Sequence, residues 1–199
     1  MRQKVGMVAV AALLVLTACG QQQTVPKEGG GMGSEGEKTE KPGAGTEDPR
    51  KQVVVEMENA KGKEVGTATL QEETKGVEVR LNGKGLPPGK HGLHIHEQAE
   101  CDAPDFKSAG KHFNPEGKEH GLENPKGAHA GDLPNLKVKK DGTAQLSAIA
   151  KGVTLGKGKH SLVGKKGTAL VIHEQPDDMK TDPVGKAGDR IACGEIEDP

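Results

Sequence analysis

Residues 51–199 predict an all-β fold, a sandwich or a small barrel. Short stretches alternate apolar with polar residues, clusters of Gly, Pro, Asn and Asp separate them, and no segment of useful length carries a helical period. Composition agrees. The 30 glycines, the absence of Trp and Tyr and an aromatic content of 1% suit short strands and many turns better than a helical bundle. About 150 residues bury roughly 68–70% of their unfolded surface, enough for one core.

The elements follow in chain order. Val53, Val55 and Met57 alternate with other residues and predict the first strand. Val77, Val79 and Leu81 predict another. Leu146, Ala148 and Ala150 alternate more weakly, and Ala169-Leu170-Val171-Ile172 is a short apolar run. Asn82-Gly83, Pro87-Pro88-Gly89 and Asp141-Gly142 read as turns between them. No internal repeat is evident.

Two segments precede this region. Residues 1–19 have the features of a bacterial export signal: Arg2 and Lys4, an apolar run from Val5 to Leu16, then Leu16-Thr17-Ala18-Cys19. The run is too short to span a bilayer comfortably. A Cys placed directly after small residues resembles the lipobox of bacterial lipoproteins, which implies cleavage before Cys19 and lipid on its side chain. Residues 20–50 are rich in Gly, Gln, Glu, Lys, Thr and Pro and hold almost no large apolar residue. Such a segment cannot bury enough surface to fold. It reads as a tether with an r.m.s. span of about 30 Å. The expected organisation is therefore a signal at 1–19, a tether at 20–50 and one domain at 51–199, held on the outer face of the cytoplasmic membrane.

The formal net charge is −1 and no long basic block occurs, which argues against a nucleic-acid partner. With lipid on Cys19, Cys101 and Cys193 remain as a pair, and an exported protein favours a disulfide over two free thiols.

The histidines carry the chemistry. All eight lie between positions 91 and 173. In His94-Ile95-His96 a strand would turn both imidazoles to one face and Ile95 to the other. His112, His120, His129 and Asp132 lie in a Gly- and Pro-rich segment poor in apolar residues. Three imidazoles and a carboxylate suit a closed four-coordinate zinc site, which would order such a loop. His173 ends the apolar run. With His94, His96 and one further His it completes an all-nitrogen set suited to copper(II).

Gly92–Glu97, His112–Pro115, His129–Asp132, Val171–Asp178 and Gly188–Gly194 resemble, in order, the signatures of copper/zinc superoxide dismutases. The resemblance implies an eight-stranded Greek-key β-barrel with long metal-binding and channel loops. It implies copper on His94, His96, His112 and His173, and zinc on His112, His120, His129 and Asp132, with His112 bridging. Cys101 and Cys193 match the family's intrasubunit disulfide. Arg190 matches the arginine that guides superoxide to the copper, and Asp177 matches a carboxylate bonded to one ligand of each metal. Arg190 and His112 are then the catalytic residues. His91 is expected to make only hydrogen bonds, and His160 to lie on an exposed loop.

Some features depart from the better-known eukaryotic pattern. Asp102–Gly110 is enlarged, Lys111 precedes the bridging His, and the stretch from His173 to Arg190 is short. Lys180 and Lys186 are the candidates to replace its steering charges. The implied activity is superoxide dismutation outside the cytoplasmic membrane. The alternative is a lipoprotein that buffers copper and zinc with little turnover. A plain adhesion sandwich leaves the His/Asp cluster unexplained.

Overall fold

The computed structural model describes residues 51–199; the expected signal, Cys19 and the tether lie outside the described residues. The described elements are β1 (Gln52–Asn59), β2 (Glu64–Glu73), β3 (Gly76–Gly83), β4 (Gly89–His91), β5 (Leu93–His96), a 3-10 turn (Lys107–Ala109), β6 (Leu136–Val138), β7 (Ala144–Lys151), β8 (Thr168–His173) and β9 (Arg190–Ile196). Among the described residues no helix is long and apolar enough to cross a membrane.

All pairings are antiparallel, in the order β4-β6-β7-β3-β2-β1-β9-β8-β5. The two ends of that order, β4 and β5, are consecutive in the chain and separated only by Gly92. Counted as one interrupted strand, they close the sheet into a barrel of eight. Gly92 still bonds across the gap, its N–H to Gln175 O and its carbonyl from the His173 N–H. Closure removes the exposed edges that would otherwise invite pairing with another chain.

The alternation read from sequence becomes the barrel interior. In β1 Val53, Val55 and Met57 point inward, while Val54 is 60% exposed. Val77, Val79 and Leu81 do the same in β3, and one core cluster joins them to Leu70, Leu93, Ile95, Leu136, Leu170 and Ile172. The run in β8 is buried on both faces. Leu170 and Ile172 enter the core, whereas Ala169 and Val171 pack outward against Phe106, Ala109 and Cys193. Burying a Phe such as Phe106 contributes about 1.5–3 kcal/mol, which holds the disulfide loop on the barrel wall.

One turn differs from the reading by sequence. Asn82 and Gly83 lie inside β3, where Asn82 pairs with Thr67 and Gln145, and Gly83 with Gly66 and Ala144. A Cβ on Gly66 would lie 2.5 Å from Asn82 O, so the glycine serves a close strand approach there. The chain bends instead at Gly85, φ +65°.

Candidate metal centre

β5 presents both edges to useful partners. On one edge it pairs with β8, bringing His94 opposite Val171 and His96 opposite Ala169. On the other, no named strand pairs with β5, and isolated bridges link His94 to Asp132 and His96 to His112. Gly131 tightens this seam. Ile95 N–H donates to Gly131 O at 2.8 Å, Gly131 N–H to Phe113 O at 2.9 Å, and Phe113 N–H to Ile95 O at 2.8 Å. A Cβ on Gly131 would collide with Ile95 O. The loop after β5 is thus stitched to the barrel beside the histidines.

Two groups of metal-capable donors result, each with its atoms mutually within 4.8 Å: His94, His96, His112 and His173, and His94, His112, His120 and Asp132. All of these residues are buried. His129 also reaches the second group. Its Nδ1 is 3.5 Å from His112 Nδ1 and 3.4 Å from Asp132 Oδ1. His112 and His120 present their Nδ1 atoms to the same Oδ1 at 3.1 and 3.0 Å. Edges of this length match a tetrahedron with about 2.0 Å from metal to ligand, whose corners lie about 3.3 Å apart.

The first group also fits a metal. His96 donates from Nδ1 to Gly110 O at 3.0 Å, and His173 from Nδ1 to Gly188 O at 3.3 Å. Both Nε2 atoms are then acceptors, yet they face each other at 3.3 Å. Two lone pairs at that distance repel unless a cation lies between them. His94 Nδ1 and His112 Nε2 are buried with no hydrogen-bond partner at all among the described residues. Buried polar atoms without a partner are rare, and here they belong to the donor set. A nitrogen-only set suits copper.

Asp177 connects the groups. His94 Nε2 bonds its Oδ2 at 2.7 Å and His120 Nε2 its Oδ1 at 3.1 Å, which fixes both rings. Gly185, φ +63°, lets the chain pass so close that a Cβ there would strike the carboxylate. Sequence reasoning missed Asn135. Its Nδ2 donates to Asp177 O at 2.9 Å and its Oδ1 accepts the Asp177 N–H at 2.8 Å. It also missed Asp182, whose Oδ1 accepts the His120 N–H at 2.7 Å. Neither residue belongs to a recognisable ligand pattern, so no local signal marks them.

Burial governs the titration of the first group. It holds His96 well below the usual imidazole value, lowers His112 to about 4 against the pull of Asp132, and lowers His173 to about 3, with His94 adding to that last shift. His120 behaves oppositely. Burial disfavours its cation, but hydrogen bonds to Asp132 and Asp177 outweigh this and raise it to about 9. Burial would raise both carboxyls, but their histidine partners hold them below the usual carboxylate range.

Arg190 starts β9 opposite His173 in the register. Its Nη1 donates to Phe106 O and its Nη2 to Gly110 O, so the disulfide loop holds the guanidinium. Cys101 and Cys193 are disulfide-bonded, with Cα atoms 5.7 Å apart. His91 bonds two carbonyls, His173 O at 2.9 Å and Pro87 O at 2.8 Å. His160 lies on a loop with its side chain 40% exposed, 2.6 Å from Glu116. Lys180 and Lys186 are engaged by Glu123 and Asp178, at 3.0 and 3.6 Å.

Comparisons agree with this geometry. The family model described as copper/zinc superoxide dismutase (SODC) matches residues 64–196. Superoxide dismutase [Cu-Zn] 2 of Aquifex aeolicus is 53% identical over 143 residues, 71% of this chain and 84% of the relative. The superoxide dismutase-like protein YojM of Bacillus subtilis is 43% identical over 159 residues, 74% of this chain and 81% of the relative. Among solved structures, Cu/Zn superoxide dismutase from Brucella abortus aligns with TM-score 0.61 at 32% identity, covering 74% of this chain and 100% of that one. With its eight-stranded barrel, its paired donor groups and these relatives, the chain belongs to the copper/zinc superoxide dismutase family.

Proposed function

We propose that His94, His96, His112 and His173 hold copper, that His112, His120, His129 and Asp132 hold zinc, and that the enzyme works as a lipoprotein outside the cytoplasmic membrane. His112 is the observation that carries the metal assignment. It belongs to both donor groups, with Nδ1 toward Asp132 and Nε2 buried without a partner. We assign His129 rather than His94 to zinc. His94 Nε2 is committed to Asp177, which leaves Nδ1 for the first group.

The chain is a superoxide dismutase, an activity carried by its family and by relatives of that name. Two superoxide anions and two protons become one dioxygen and one hydrogen peroxide. Bound copper supplies the one-electron chemistry, while zinc, which has no redox chemistry, orders the loop. The protein's own groups do the rest. Asp177 orients His94 and His120. Gly110 O and Gly188 O fix the tautomers of His96 and His173. His112 Nε2, when it is not holding copper, would be the atom that takes up a proton and passes it to peroxide. Arg190 keeps N–H groups beyond its two carbonyl partners and attracts the small anion by charge and hydrogen bonding.

The anchor rests on Leu16-Thr17-Ala18-Cys19 and on the tether-like composition of residues 20–50. Metal analysis with a superoxide-consumption assay tests the site: two metals bound without turnover would replace enzyme with metal store. Cys19→Ser tests the anchor. The variant should appear in the medium, and retention on the membrane would reject lipidation at Cys19 as the anchor.

A further inference from the structure

An imidazole that gives one nitrogen to a metal keeps an N–H on the other, and the acceptor of that N–H sets the direction of the ring. Four of the six metal-assigned histidines have such an acceptor: His94 and His120 bond Asp177, His96 bonds Gly110 O and His173 bonds Gly188 O. His112 needs none, since it offers Nδ1 toward Asp132 and Nε2 to the other donor group. His129 is the exception. Its Nδ1 faces His112 and Asp132, while its Nε2 makes no hydrogen bond among the described residues. Among those residues the only carboxylate oxygen within 4.0 Å of this Nε2 is Asp182 Oδ1, at 4.0 Å.

Asp182 reaches this place because one loop is folded onto another. Residues 178–185 are tied to themselves. The Asp178 carboxylate accepts from the Thr181 N–H at 2.8 Å and from Thr181 Oγ1 at 2.6 Å, and the Gly185 N–H returns to Thr181 O at 2.7 Å. They are tied to the His120 loop as well. Glu123 N–H donates to Met179 O at 3.0 Å, and a Cβ on Gly121 would collide with that carbonyl. The backbone of Asp182 is thereby held, but its carboxylate is free to turn. It is 50% exposed and pairs with no Lys or Arg among the described residues. Its Oδ1 accepts the His120 N–H at 2.7 Å, and its Oδ2 is uncommitted. A carboxylate facing an imidazole N–H makes a charge-assisted bond, about twice as strong as a neutral one.

We infer that Asp182 is the positioning residue for His129: its carboxylate turns to accept the His129 Nε2–H while it holds the main chain of His120, so one side chain aligns two zinc-assigned residues. Asp177 does the corresponding work between His94 and His120. Asp182 extends that chain of carboxylates to the one donor that lacks an outer partner. The inference rests on the assignment of His129 to zinc. It makes zinc retention depend on the stretch that continues to Gly188, whose carbonyl fixes His173.

The test compares full-length wild type with Asp182→Ala and Asp182→Asn. Asparagine keeps an oxygen for the His120 N–H but loses the charge, so it separates the two contacts and serves alone if the alanine variant does not fold. Competition with a zinc chelator should show affinity weakened about tenfold in Asp182→Ala and about threefold in Asp182→Asn. Copper content should stay unchanged, because His129 is outside the copper-assigned group. The second readout is proton NMR with cobalt(II) in place of zinc. Asp182→Ala should lose one hyperfine-shifted, exchangeable ring N–H signal, and only one, to fast exchange with water, and Asp182→Asn should keep that signal at a shifted position. Zinc affinity equal to wild type in both variants overturns the inference. So does weakened affinity with every ring N–H signal intact, because Asp182 would then act through the main chain of His120 alone. Wild-type protein that takes up no zinc rejects the zinc assignment itself, and the role of Asp182 with it.

Discussion

Arg190 and His96 share one acceptor: Arg190 Nη2 and His96 Nδ1 both donate to Gly110 O, at 2.6 and 3.0 Å. The carbonyl that fixes the tautomer of a copper-assigned histidine therefore also aims the guanidinium. Gly110 ends the loop that Cys101 ties to β9, so the disulfide, the arginine and the histidine are mechanically connected.

Arg190→Ile should leave copper and zinc content unchanged, because Arg190 belongs to neither donor group. Superoxide consumption should fall on the order of tenfold and depend less on ionic strength, since one attracting charge is gone. Arg190→Lys should recover part of the salt dependence without the two-carbonyl grip. Stopped-flow decay of superoxide across a salt series reads both. Rates equal to wild type at every salt concentration would remove Arg190 from the mechanism.

Asn135 should matter without touching a metal-assigned residue's side chain. Asn135→Ala leaves the Asp177 N–H and carbonyl without their side-chain partners. Asp177 would then hold His94 and His120 less firmly. Loss of a group that orients ligands costs about 10–100-fold in metal affinity. Competition with a zinc chelator should place Asn135→Ala near the low end of that range. Wild-type affinity would mean that the amide serves packing alone.

Asp132→Ala should loosen more than its own position. Its Oδ1 faces His112, His120 and His129, and its Oδ2 accepts the Gly121 and His129 N–H groups at 2.9 and 3.0 Å. The loop around it has few apolar residues, so this carboxylate and its metal are its main supports. Zinc should be lost, and hydrogen exchange between Cys101 and Pro134 should accelerate while the barrel strands keep their protection. Full zinc occupancy would rule out the assignment.

The strands were legible where the burial pattern is asymmetric. Val53, Val55 and Met57, or Val77, Val79 and Leu81, contrast with exposed neighbours and announce one inward face. β2 and β9 give no such contrast. In β2 the inward positions include Ala68 and the adjacent Gly66 blurs the period, while β9 buries Ala192, Cys193 and Gly194 in succession under the disulfide loop. The histidines were legible because imidazoles at strand spacing and in a polar loop have few structural uses. Asn135 and Asp182 were not, because each acts through main-chain atoms of a residue distant in sequence.

The disulfide should contribute more to stability than any single core residue. It joins positions 92 residues apart. In the chain-entropy model a loop of that size is worth about 4–5 kcal/mol. Cys193→Ser should therefore lower the melting temperature by about 10–15 °C. It should also release Phe106 and Ala109 from β8, visible as faster exchange across the 3-10 turn. Two free thiols in the exported protein would contradict the bond.

Removal of both metals should leave a fold whose stability peaks near pH 6.5. His96, His112 and His173 are depressed by burial, the last two to about 4 and about 3. Between those values and about 6.5 the unfolded chain binds more protons than the folded one, so stability falls as the solution is acidified through that window. Asp132 and Asp177 add to the acid loss, because their partners hold them below the ordinary carboxylate range and that stabilisation disappears as they protonate. His120 acts in the other direction. Raised to about 9, it binds its proton more tightly in the folded state, and this contribution is complete below about 6.5 and lost as pH rises through about 9. The neighbouring histidines titrate as a cluster, so the acid limb should be broad. Melting temperatures of the metal-stripped protein from pH 4 to pH 10 should trace a peak, and zinc uptake at pH 7 should release about one proton, from His120. Calorimetry in buffers of different ionisation enthalpy measures that proton directly. A flat profile from pH 6.5 to pH 9, or zinc uptake without proton release, would mean that His120 is not the protonated member of the group.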